Sequence, residues 1–463
     1  MRAAGPESGV GERAVVLGGS IAGTLAARVL ADHYREVVVV DRDEVLGVSR
    51  PRRGAPHTGH AHGLHARGYL ILTELFPGLR ADLQARGVPI GDLGEMRWYF
   101  GGRRLQPART GLLSITAQRP VLEEYLRTRV ADLANVGYRQ RTELTGLRAA
   151  PDQSRVTGVS LRDVTTGEVF SLDADLVVDA TGRGSRLPVW LREMGYERPA
   201  EERMKIGLAY TTRLYRKDPA MFDGVQSINP VAAPDHPRGA FFGQVGPDEC
   251  ILSLTGIAGD QPPTDPRGFL DYARSLPVPD VYDAVRAAEP LTDPVMFTFP
   301  ASVRRRYERL RRFPQRLLVL GDAVCSFNPV YGQGMTVAAM EAMALRRLLA
   351  RGTHPDSREF LREVGRIVDI PWQISTSGDL DFPAVPGERP MKVRLGNAYL
   401  ARVQYAATRD PSITAAFMRV AGLIDPPTAL MRPGLVRRVL RLSRGMRDAH
   451  LTTAPPGRVS EPV

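Results

Sequence analysis

Four short runs along the chain are apolar at every position: AVVL at 14–17, VVVV at 37–40, LVV at 176–178 just before Asp179, and LLVL at 317–320. Unbroken apolarity over so short a span, without polar alternation, predicts strands buried on both faces, as in a parallel sheet. Between the first two runs, Ile21, Leu25, Val29 and Leu30 recur at helical spacing. The stretch 14–40 therefore predicts strand, tight glycine turn, helix and strand, closing on Asp41. Further helices are predicted over 64–75, 119–134 and 335–349. Period-two alternation marks a hairpin at 158–173, GVSLRDVTTGEVFSLD, and a second about Trp98 with Gly101-Gly102 as its turn. From 206 to about 298 the chain reads as antiparallel β. Beyond about 350 it is helical, with proline-rich breaks near 383–390 and 426–433.

These elements assemble into an α/β fold. The expectation is a discontinuous Rossmann-type domain at 12–90, 116–200 and 301–350, carrying an antiparallel β-sheet substrate domain at 201–300 with the hairpin at 91–115. A helical segment at 351–452 and a disordered tail at 453–463 follow.

Composition changes this picture little. The chain of 463 residues is 43% hydrophobic and 24% charged, as expected of a soluble globular protein. A net charge of +11 raises the question of nucleic acid, but arginine is scattered and no recognition motif accompanies it, so none is expected. Cys250 and Cys325 are too few and too far apart for a disulfide framework or metal cluster, which fits a reducing cytoplasm. The N-terminus lacks the apolar core of a signal peptide, and no window approaches the ~18 apolar residues of a membrane span. The basic stretch RPGLVRRVLRLSRGMR, from Arg432, is expected to be a solvated helix face packed on its Leu/Val side.

The candidate chemistry sits at the ends of the apolar runs. Gly18, Gly19, Ser20, Ala22 and Gly23 form a turn whose amides face a pyrophosphate at a helix N-terminus, with Ser20 where a middle glycine is usual. Asp41 lies 23 residues after Gly18, placed to accept from ribose hydroxyls, with Arg42 beside it. Thr181-Gly182 and Gly321-Asp322 follow the other two runs, Asp322 being suited to a ribityl hydroxyl. Pro329, Gly332, Gln333 and Gly334 then form a loop leading into a helix at Met335. Such a helix N-terminus carries about half a positive charge and would stabilise a reduced flavin at its N1–C2=O edge. His57, His60, His62 and His65 lack carboxylate or thiolate company, so they read as pocket lining rather than metal ligands. Cys325 reads as a packed thiol.

In this order the motifs resemble the group A flavoprotein monooxygenases, the para-hydroxybenzoate hydroxylase-like fold, over about residues 12 to 350. The segments RRGAPHTGHAHGL, VVDATGRGSR and GDAVCSFNPVYGQGM are most similar to actinobacterial FAD epoxidases of the lasalocid and monensin polyether pathways. The resemblance implies FAD as cofactor, with NAD(P)H and O2 as co-substrates and oxygen transfer by a flavin C4a-hydroperoxide. It also implies that Arg119 reaches the ribityl-phosphate region and that Leu144 meets adenine through its backbone. Thr181-Gly182 departs from the family's usual Asp-Gly, which bears on how NAD(P)H docks. The implied substrate is an apolar alkene of a polyketide or terpenoid, lying against Leu208, Tyr210, Phe241, Phe242, Ile251, Leu252 and Leu254. Arg213 is taken as an exposed strand position. No side chain is assigned as general acid or base. An aromatic hydroxylase, a geranylgeranyl-type reductase, a separate flavin reductase as partner, and a monomer or a homodimer all stay open; a Trp-x-Trp-x-Ile-Pro halogenase motif is missing.

Overall fold

The structure, a computed structural model, describes residues 11–446. The 453–463 tail therefore lies outside the described residues. Five parallel strands form the central sheet, in the order Leu317–Val319, Leu176–Asp179, Gly11–Leu17, Tyr34–Val40 and Val136–Arg139. The four apolar runs supply four of these strands. Their side chains are buried on both faces because helices Ile21–Leu30 and Gly334–Leu349 cover one side and the three-stranded meander 142–173 lies beyond the other. In register, Leu17 pairs with Val40 and with Asp179, and Asp179 with Val319. Consequently Gly18, Asp41, Ala180 and Leu320 emerge side by side at one carboxyl edge, where open α/β sheets bind ligands.

A second sheet of eight strands takes its members from 97–104, 201–216, 227–256, 295–305 and 325–326. The expected hairpin about Trp98 is its outer edge, Tyr99 pairing with Arg104 and Phe100 with Arg103 across Gly101 and Gly102, both at positive φ. One expectation fails here. The 206–298 stretch is not all β, because helices Pro266–Arg274 and Asp280–Val285 interrupt it. The signal was present: the Asp265 carboxylate caps the Gly268 amide at 2.7 Å, Pro266 opens the helix, and Phe269, Tyr272 and Ala273 share one buried face. These helices cover the back of the sheet, packing on Phe242, Leu252 and Leu254.

The C-terminal helices are Ser357–Asp379, Met391–Ala407, Pro411–Ala421 and Pro433–Leu442. The first runs back along the central domain, and its end reaches the loop after Asp322. In the last, Val439 is buried while Leu435 and Leu442 pack beside it, and Arg438 pairs with Asp410. No helix of the described residues is long and apolar enough to cross a membrane.

Candidate functional site

A cavity of about 450 Å³ opens along the carboxyl edge of the central sheet and continues to the eight-stranded sheet. Gly18, Ser20, Ala22, Asp41, Arg42, Arg119, Leu144, Thr181, Gly182, Gly321, Asp322, Pro329, Gly332, Gln333, Gly334 and Met335 all line it. Gly19 and Gly23 do not. The amide of Gly19 is spent on the Asp41 carboxylate at 2.7 Å, which fixes that side chain at its strand end. Gly23 lies behind the turn, where a Cβ would collide with the Gly18 carbonyl oxygen. Its role is close passage of helix over strand rather than contact with a ligand.

The glycines fall into two groups. Gly18 (φ +101°), Gly23 and Gly321 (φ +66°) are required by the protein itself, since a Cβ on each would strike neighbouring atoms. At Gly334 the nearest atom belongs to Asp322, 4.0 Å away, so a Cβ there would fill only cavity space; Gly182 is equally open towards Asp322, but its φ of +79° favours glycine in any case. Gly334 is helical; the left-handed residue of the loop is Gly332 (φ +62°). Helices Ile21–Leu30 and Gly334–Leu349, which begin at the cavity, lack a side-chain N-cap, at Ser20 and at Gln333. Their first amides therefore face the cavity without protein partners, as a cradle for a pyrophosphate and for a flat electron-rich ring edge would require.

Charge is concentrated beside the first turn. Glu123 is 2% exposed and meets three arginines: Arg119 at 2.9 Å, Arg127 at 2.9 Å and Arg52 at 3.5 Å. Burial alone would raise its pKa, but the arginines outweigh it and hold the carboxylate at about 2. Arg52 also donates to Ser20 Oγ at 2.7 Å, leaving the serine proton free for an anion. Glu123 and Arg127 were legible as an i,i+4 ladder from Arg119 along one helix. Arg52 comes from an irregular loop that gave no such signal.

Arg119 connects this cluster to the histidines. Its Nε donates to Glu123, and its Nη1 reaches His57 Nε2 at 3.2 Å and His62 Nε2 at 3.5 Å. A guanidinium is donor only, so both rings accept through Nε2 and keep their protons on Nδ1. The His62 proton goes to the His60 carbonyl. Burial, reinforced by Arg119, lowers His57 to about 3, and burial lowers His60 to about 4. These imidazoles are neutral. Among the described residues no group of three or more metal-ligating side chains converges.

Asp322 is exposed into the cavity, and its desolvation within that recess raises its pKa against the pull of Arg119, Arg183 and Arg305. Below it Glu341, pushed up to about 8 by burial, accepts from the Gly321 amide at 2.6 Å. Arg305, from the second sheet, ties two cavity loops together by donating to the Ala323 and Arg183 carbonyls at 3.0 and 2.9 Å. Thr181 turns its hydroxyl onto Asp179 at 2.6 Å. Cys325 is buried, and burial raises its thiol far above the reactive range.

The far end of the cavity is an aromatic wall of Tyr210, Phe297 and Phe299. Of the seven apolar residues expected there, only Tyr210 lines it. Strand alternation sends Phe242, Leu252 and Leu254 to the back face, and the sequence reading missed Phe297 and Phe299 on the returning strand. Arg213 is not exposed: it is buried, donates to the Thr292 carbonyl at 2.8 Å and lies off the cavity.

The sequence matches the family described as FAD binding domain over residues 12–359. It is 36% identical over 431 residues to Protein Rv3254 of Mycobacterium tuberculosis, covering 89% of this chain and 90% of that protein. It is 27% identical over 361 residues to kynurenine 3-monooxygenase of Salinispora tropica, covering 74% of each. Among solved structures, PqsL of Pseudomonas aeruginosa superposes with a TM-score of 0.60 at 20% identity, over 80% of this chain and 97% of that one. The flavin-dependent brominase Bmp2 superposes with a TM-score of 0.66 at 13% identity, over 94% and 99%. The structural likenesses are likenesses of fold.

Proposed function

The chain belongs to the FAD-binding domain family, with FAD as its cofactor, and from that premise we propose that it is a monooxygenase of an apolar, alkene-bearing polyketide or terpenoid, which it epoxidises. The cofactor supplies the redox chemistry: reduced by NAD(P)H, it activates O2 for transfer of one oxygen atom. Everything else falls to side chains and backbone. In this reading the free amides of Ile21 and Ala22 and the Ser20 hydroxyl hold the pyrophosphate, with Arg52 behind them. Asp41 accepts from the ribose, and Leu144 borders the adenine. Asp322 accepts from the ribityl chain, and the open amides at the start of helix Gly334–Leu349 meet the ring edge.

The observation that carries the choice of substrate is the far wall. Tyr210, Phe297 and Phe299 give it an apolar surface, and the imidazoles beside them are neutral, with His57 and His62 presenting their Nε2 lone pairs to Arg119. Neither ring can readily take a proton from a phenol. An alkene needs no such base. The kinship with kynurenine 3-monooxygenase favours a second reading, ring hydroxylation of an aromatic amine or phenol. A panel of polyenes and phenolic acids separates the two by substrate-stimulated NAD(P)H oxidation and product mass. Epoxide from a polyene, with phenolic acids inert, supports the proposal; efficient phenol hydroxylation refutes it.

A further inference from the structure

The loop 328–333 borders the cavity beside Asp322 but has little structure of its own, one 3₁₀ turn at Pro329–Tyr331 and the left-handed Gly332. Two side chains from outside hold it. On one side the His65 ring donates from Nε2 to the Tyr331 carbonyl at 2.7 Å. On the other, Asp379, the last residue of helix Ser357–Asp379, accepts from Asn328 Nδ2 at 2.8 Å. Asn328 in turn accepts from the Val330 amide at 3.0 Å, closing the turn. Asn328 and Asp379 are each 1% exposed, so water does not compete for their bond.

The same helix end is shaped to receive the loop. A Cβ on Gly378 would run into the Tyr331 hydroxyl, so only glycine lets that ring lie against the helix. A few residues further on, Phe382 and Val385 pack with Leu208, Tyr210 and Phe299, the last two being part of the aromatic wall. The turn at 378–385 thus touches both the loop and the wall. It also lies beyond the 12–359 span that matches the family.

We propose that Asp379 is a positioning residue, which through Asn328 sets where the 328–333 loop stands against the flavin ring. The inference rests on the ring lying along residues 329–334, as given above, and not on the identity of the substrate. Burial pushes the Asp379 carboxyl up to about 7, against the hydrogen bonds of Asn328 and Tyr331. Asparagine is therefore a close mimic of its neutral form that keeps the acceptor for Asn328.

The test is titration of the purified apoprotein with FAD by fluorescence quenching, with visible spectra of the complexes and far-UV circular dichroism of the free chains. Asp379→Ala should weaken FAD about tenfold and shift the bound-flavin band, as one buried hydrogen bond predicts. Asn328→Ala should do the same, and the double variant should be no worse than either single one. Asp379→Asn should restore affinity and spectrum. If Asp379→Ala does not fold, Asn328→Ala cuts the same bond from the loop side. Wild-type affinity and spectrum in Asp379→Ala or its substitute, or a loss of thermal stability alone, would overturn the proposal. Asp322→Ala run in parallel tells which idea has failed. If it loses FAD while the clamp variants do not, only the clamp is wrong; if it too binds normally, the placement of the flavin falls.

Discussion

Replacing Glu123 by Gln keeps the shape of the side chain and removes the only charge that Arg52, Arg119 and Arg127 share. In the unfolded chain the carboxyl titrates near 4.5, in the folded one at about 2. At about 1.4 kcal/mol per pH unit, that gap makes the ionised group worth about 3 kcal/mol of stability. Breaking a buried ionic cluster from one side typically costs about 3–5 kcal/mol, in agreement. Because the folded pKa is depressed, the contribution is fully present above pH 4.5 and is lost as pH falls towards 2. Urea denaturation of apoprotein at pH 7 should therefore place Glu123→Gln below wild type by about 3 kcal/mol, or roughly 3 °C in a thermal scan of a chain this long. The two curves should converge on acidification. Saturating FAD should also narrow the gap, since a pyrophosphate beside Ser20 brings negative charge to the arginines that Glu123 has left. Equal stability at pH 7, or a gap that widens in acid, would refute this account of the cluster.

Three further outcomes are expected. Asp322→Ala should weaken FAD about ten- to a hundredfold, the value of a charge-assisted hydrogen bond of roughly 1.5–3 kcal/mol, with circular dichroism unchanged. The two kinds of glycine should separate: Gly23→Ala should lower the melting temperature of apoprotein because its Cβ meets the Gly18 carbonyl, whereas Gly334→Val should leave it unchanged and impair FAD binding and flavin reduction. Acid precipitation should release FAD into the supernatant, since neither the buried Cys325 nor the histidines bonded to Arg119, Thr212 and Tyr331 are set for covalent attachment.

Much of the nucleotide end was legible because its rules are local. The end of a short, wholly apolar run marks the edge of a parallel sheet, and Gly18, Asp41, Thr181 and Asp322, each at or shortly beyond such an end, came to the cavity. Gly19 and Gly23 show where locality misleads: spacing alone cannot tell a glycine that meets a ligand from one that lets a helix pass a strand. The charge cluster was half legible, since Arg119, Glu123 and Arg127 share a helix, but Arg52 arrives by tertiary folding. The substrate end was least legible. Which face of a strand meets the cavity depends on what covers the other, and the covering helices at 266–285 were read as β. Phe297 and Phe299 were therefore missed, and Arg305 and Asp379, each acting on loops distant in sequence, left no periodic trace at all.

If the proposed epoxidation is right, the oxygen atom gained by the alkene comes from O2, which isotopic oxygen gas reveals. Holoenzyme, NAD(P)H and a polyene are incubated under heavy-isotope O2, and the product is read by mass spectrometry. One heavy oxygen atom is expected in each epoxide formed, and none when the gas is ordinary and the water heavy. Oxygen drawn from water, or saturation of the alkene without any oxygen gained, would contradict the proposal.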